Sequence, residues 1–128
     1  MKRDWDIIRE IMLKVEELPN DHEMVKLTDF PDDQHFSAAY NAQLLVESGL
    51  VKGHVIDEMG RDSKPANFFL QRLTWEGHEL LDTIRSETVW SKTKESFLSR
   101  GLDMTFDLVK SVASDIATSL LKQAVGIA

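Results

Sequence analysis

An α+β fold is what this chain of 128 residues predicts, on three observations. Apolar residues recur at helical spacing in several separate segments, and two β-rich runs near the middle flank a turn-rich joint. No segment repeats another. A hydrophobic fraction of 42% beside 29% charged residues is that of a globular chain in water, and no run approaches the ~20 apolar residues of a membrane span. The length fits one structural domain, with a core over residues 1–86 and C-terminal helices over 87–128.

Trp5, Ile8, Ile11, Met12, Val15 and Leu18 lie three and four residues apart, so residues 4–18 predict a first helix with one apolar stripe. Asp4 caps it and Asp6 favours its positive end. Pro19-Asn20-Asp21 breaks it, and Met24 to Leu27 reads as a short strand. In the turn-rich stretch from Thr28 to Asp33, either Asp32 or Asp33 is placed to cap the next helix. Residues 33–48 predict that second long helix, with Phe36, Ala39, Tyr40, Leu44 and Leu45 inward and Gly49 where a helix ends left-handed.

Leu50 to Asp57 and Asn67 to Leu73 predict a hairpin whose tip carries Arg61 and Lys64 and whose strands carry Lys52 and Arg72. Thr74 caps a helix with Trp75, Leu80, Leu81 and Ile84 on one side. A further helix over 87–99, separate or continuous with the last, sets Trp90, Thr93 and Phe97 on one face. Asp103 caps the final helix, whose stripe of Phe106, Val109, Val112, Ala113, Ile116, Leu120 and Ala124 is widened by Leu108, Ala117 and Leu121. Helix, short strand, helix, two-stranded wing and helices is the outline of a winged-helix-like domain with a helical C-terminal extension. Its usual second helix is missing or reduced to the turn around Pro31.

Charge and composition narrow the chemistry. The net charge of −7 comes entirely from the segment Glu16–Glu47, where eight acids face one base, Lys26. That segment includes the helix which, by position, would be the recognition helix, and it repels phosphate. The absence of cysteine excludes disulfides, thiol nucleophiles and cysteine metal sites. The opening MKRDWDIIRE is charged and unlike a signal peptide, so a cytoplasmic protein is expected.

The strings MKRDWDIIREIMLKVEE, AQLLVESGLVKG and RLTWEGHELLDTIRSETVWSKTKE carry a resemblance. Over nearly the whole chain they resemble the family called domain of unknown function 2513, common in bacterial and prophage genomes. More distantly, the chain resembles small winged-helix proteins of the YjcQ type. The resemblance implies a winged-helix-like fold and a phage or prophage setting, and it implies no activity.

Three function classes compete. As a DNA-binding transcriptional regulator, the protein would turn Gln34, Ser37, Asn41 and Gln43 to bases and Lys52, Arg61, Lys64 and Arg72 to phosphates. As a protein-interaction module, it would use its acidic surface, with Asp29, Asp32, Asp33 and Glu47, to dock an unknown protein partner of basic character. The stripe of Phe106, Val109, Val112, Ile116 and Leu120 either packs within the chain or pairs with a second copy as a homodimer. Enzymes need convergent groups that are missing here. Asp32, Asp33 and His35 lack a further metal ligand, and no phosphate-binding glycine loop or nucleophile elbow occurs. Trp5, Trp75, Trp90, Phe68 and Phe69 read as core or helix-junction anchors, with adjacent Phe68 and Phe69 on opposite faces of a strand. The expectation is a non-catalytic interaction module needing no cofactor, with nucleic acid disfavoured by the local charge and no membrane contact.

Overall fold

The computed structural model describes residues 1–56 and 63–126. Their contacts gather into two units, Met1–His78 and Glu79–Ala128. The division falls inside a helix, upstream of the 86/87 boundary that the helix pattern indicates.

In the first unit, α1 (Trp5–Glu16) buries Trp5, Ile8, Ile11, Met12 and Val15, and the Asp4 carboxylate accepts the N–H groups of Asp6 and Ile7. The stripe and the cap therefore agree. Strand β1 is only Val25–Lys26. In place of a second helix, two single 3₁₀ turns, Leu27–Asp29 and Asp32–Gln34, lead to α2 (His35–Ser48). The Asp29 carboxylate accepts the Lys26 N–H at 2.8 Å, which sets the first turn.

Neither Asp32 nor Asp33 caps α2, contrary to the expectation. The cap position is Gln34, without a side-chain bond, and the Gln34 N–H donates instead to the Pro31 carbonyl at 2.9 Å. A 3₁₀ turn running straight into an α-helix satisfies the entering backbone by itself, so the aspartates are left in solvent. At the other end Gly49 adopts φ 78°, the left-handed conformation that closes the helix at little cost for glycine alone.

Strands β2 (Val51–Ile56) and β3 (Asn67–Leu73) complete an antiparallel sheet of order β1-β3-β2. Helices α1 and α2 pack on one side of it, over the buried side chains of Val25, Val51, Phe68, Leu70 and Leu73. The Phe30 and Phe68 rings meet at 6.0 Å between centroids, tilted by 59°. An irregularity between Lys52 and Gly53 leaves one β3 residue unpaired. As a result Gln71 and Arg72, neighbours in sequence, are both exposed, which strict alternation forbids.

Helix α3 (Trp75–Ile84) crosses from one unit to the next. In the second unit, α4 (Glu87–Arg100) is separate from α3 and starts at Ser86, whose hydroxyl accepts the Val89 N–H. Helix α5 (Phe106–Ala124) starts at Thr105, which accepts the Leu108 N–H, so the expected cap at Asp103 is displaced by two residues. The α4–α5 pair buries Val89, Trp90, Thr93 and Phe97 with Val109 and Ala113. Buried Thr93 donates its hydroxyl to the Val89 carbonyl at 2.7 Å, so it enters the core with its hydrogen bond made. Among the described residues, no helix is long and apolar enough to cross a membrane.

Candidate functional site

The periodicity of α2 decides which of its side chains can touch a partner. Ala38, Ala39, Asn41, Ala42 and Leu45 are buried. Phe36, Gln43 and Glu47 are exposed, with Tyr40 between them half-buried, and their spacing of four, three and four puts them on one face. Phe36, expected inside, has 52% of its surface in water. Alanines fill the inner face instead, because α2 lies close against α1 and β2.

Two of the four supposed base readers change role. Asn41 is fully buried. Its Oδ1 accepts the Asp4 N–H at 2.9 Å, and its amide donates to the Ser37 carbonyl at 2.8 Å, so it fastens the start of α1 to α2. Asn41→Ala leaves that N–H without its partner, and the expected loss is roughly 1–3 kcal/mol of unfolding free energy. Urea denaturation measures it; an unchanged midpoint at equal slope would show that Asn41 is no fastener. Gln34 keeps its Oε1 buried with no hydrogen-bond partner among the described residues. Ser37 is half-buried, and Gln43 is exposed but donates to Glu47 at 3.3 Å.

The acidic candidates stay together in sequence and in solvent. Asp29, Asp32, Asp33 and Glu47 are all exposed, and no Lys or Arg occurs from Leu27 to Val51. His35 is not a ligand in waiting: its Nε2 lies 2.9 Å from the Phe30 carbonyl and 3.7 Å from Asp32. Among the described residues no three acids or histidines converge as a metal site.

On the hairpin, Lys52 and Arg72 are exposed and stand directly opposite each other in the register. Lys64 is exposed near the start of β3, and Arg61 lies outside the described residues. In the second unit Val109 is fully buried by the α4–α5 pairing, so it is not available to a second copy. Phe106, Val112, Ile116 and Leu120 are half-buried.

Trp75, expected as an anchor, is 80% exposed. The buried positions of α3 are Gly77, Leu80, Leu81 and Ile84. Trp75 precedes that series by two residues, about 200° around the helix, and the spacing alone signals its outward position.

The model of the family described as a hypothetical protein, DUF2513, matches residues 2–103. The chain belongs to the DUF2513 family. An uncharacterized protein of Haemophilus influenzae is 36% identical over 121 residues, covering 94% of this chain and 99% of that protein. No solved structure matches the chain.

The family match spans α1 to α4 and stops short of α5. Within it, the Leu-Thr-Trp-Glu-Gly-His block of this DUF2513 chain has a structural role. The Thr74 hydroxyl accepts the Gly77 N–H at 3.1 Å and donates to the Gly49 carbonyl at 2.6 Å. The Thr74 N–H donates to the Leu50 carbonyl at 3.0 Å. Gly77 itself presses its Cα face onto that same Leu50 carbonyl, leaving no room for a Cβ. The block therefore ties the end of α2, the start of β2, the end of β3 and the start of α3 into one junction.

Proposed function

We propose that this protein is a non-catalytic interaction module that docks a basic-surfaced protein partner through the exposed face of α2. The reading places it in the cytoplasm, in a phage or prophage setting; a chain without cysteine suits a reducing compartment. One observation carries it. The face made by Phe36, Tyr40, Gln43 and Glu47, with Asp32 and Asp33 just before it, joins an exposed aromatic ring to acids and has no cation.

An aromatic anchor rimmed by charge of one sign is how protein surfaces combine affinity with partner choice. The same face opposes a phosphate backbone, and with Asn41 turned inward the DNA-binding alternative keeps few base readers on α2.

A photo-reactive residue placed at Phe36 is expected to crosslink one host protein, while the same group at Lys122 of α5 does not. Binding of that purified partner should then fall roughly tenfold or more on Asp32→Lys with Asp33→Lys, and weaken with added salt. Equal crosslinking at both positions, or an affinity indifferent to both reversals, would sink the proposal.

A further inference from the structure

The side of the sheet turned away from α1 and α2 has the opposite character to the α2 face. Register defines its layout. Lys26 of β1 pairs with Phe69 of β3, and Phe69 with His54 of β2, so these three form one row across the strands. Arg72 and Lys52 form the next row, with Gln71 turned out beside them by the bulge, and Asn67 with Ile56 forms a third. All are exposed except Phe69, which is half-buried in their midst.

Among the described strand residues, no Asp or Glu occupies an outward position. That is unexpected in a chain with 22 acids against 15 Lys and Arg. Lys26, Lys52 and Arg72 form no ion pair within the described residues. Among the described residues, Arg72 directs its guanidinium only to the adjacent Leu73 carbonyl, at 3.3 Å. Like charges placed directly opposite on antiparallel strands destabilise a sheet, and an ordinary solvent face would set an acid across from one of them. An anion bound over the Lys52–Arg72 pair removes the repulsion.

The aromatic ring decides which anion. Phosphate contact requires only cations, whereas a ring lying between Lys26, His54 and the Arg72–Lys52 row adds a flat apolar surface suited to an unpaired base. The face measures roughly 13 Å along the strands and 10 Å across them. A duplex keeps its bases stacked inside and offers such a face only its backbone, while a single strand can lay a base on the ring and its phosphates on the cations.

We propose that the outer face of the sheet binds single-stranded nucleic acid, with Phe69 as the stacking platform and Lys26, Lys52 and Arg72 as phosphate contacts. The inference is independent of the α2 reading, since the two surfaces share no residue and their variants can be tested separately.

The test uses the full chain and a fluorescein-labelled oligothymidylate about ten nucleotides long, followed by anisotropy at low salt. The single strand is expected to bind more tightly than a duplex of the same length. The slope of log affinity against log salt should be about −2, as three neutralised phosphates give on single strands. Phe69→Ala should weaken binding roughly tenfold or more. Lys52→Thr with Arg72→Thr should weaken it and flatten the slope, while leaving the thermal midpoint at or above that of the parent because the repulsion is gone.

Asp32→Lys with Asp33→Lys should leave single-strand binding undiminished, which separates failure here from failure of α2 docking. Three results would overturn the inference: no binding at low salt, equal affinity for duplex, or binding indifferent to Phe69→Ala in a variant whose circular dichroism matches the parent.

Discussion

Gly77→Ala is expected to destabilise this protein, although alanine is the better helix former. In an open helix the exchange stabilises by about 1 kcal/mol. Here the added methyl group would sit inside the contact distance of the Leu50 carbonyl oxygen and within 3.3 Å of the Leu73 Cβ. Backbone at the junction between α2 and β2 cannot swing aside as a surface side chain can, so α3 must move. Moving α3 stretches the Thr74 bonds to Gly49, Leu50 and Gly77 that define the junction.

Overpacking of this kind costs roughly 1–3 kcal/mol and loss of a threonine cap roughly 1 more. Together they outweigh the helical gain and leave a net loss of roughly 1–3 kcal/mol out of the roughly 5–15 kcal/mol available to a domain. Urea denaturation followed by far-ultraviolet circular dichroism gives the answer. A variant as stable as the parent would mean that the close approach of α3 to Leu50 does not exist in solution.

The second large effect separates two adjacent phenylalanines. Phe68→Ala is expected to destabilise by roughly 3–5 kcal/mol, because the side chain is fully buried on the inner face against Phe30. Phe69→Ala, one residue later on the outer face, should cost only about 1 kcal/mol, as its half-buried ring leaves less surface to lose. Truncating either ring removes the same atoms, so the difference reports the register and not the chemistry of the substitution. Equal losses in denaturant melts would refute the assignment of β3 to two faces.

Much of the fold is legible in the residues themselves. The α1 stripe from Trp5 to Val15, the closure of α2 at Gly49 and the bounds of β3 each stem from local rules of spacing, capping and conformational preference. The opposite facing of Phe68 and Phe69 comes from the pleat. Misreadings occur where apolar residues sit at helix ends. Side-chain character alone places Phe36 and Trp75 inside, yet each is out of phase with the buried small and aliphatic residues of its own helix. Phase is the better guide than size.

The candidate surfaces are less legible than the fold. The acidity around α2 is a sum over sequence and needs no structure, so Asp29, Asp32, Asp33 and Glu47 appear together at once. The cationic sheet face draws Lys26, Lys52 and Arg72 from three strands, and one residue of register shift between Lys52 and Gly53 turns Gln71 and Arg72 to the same side. Asn41 likewise has the composition of a base reader and the position of a buried fastener.

By itself, the sequence determined what depends on residues near one another: the helices, the caps at Asp4, Gly49 and Thr74, family membership and the placement of the charge excess. Tertiary structure alone decided which strand residues stand opposite, which polar groups are closed off and why Gly77 admits no side chain. Those outcomes depend on pairings between residues far apart in the chain, and local preference carries no term for the distance between Leu50 and Gly77 or the opposition of Lys52 and Arg72.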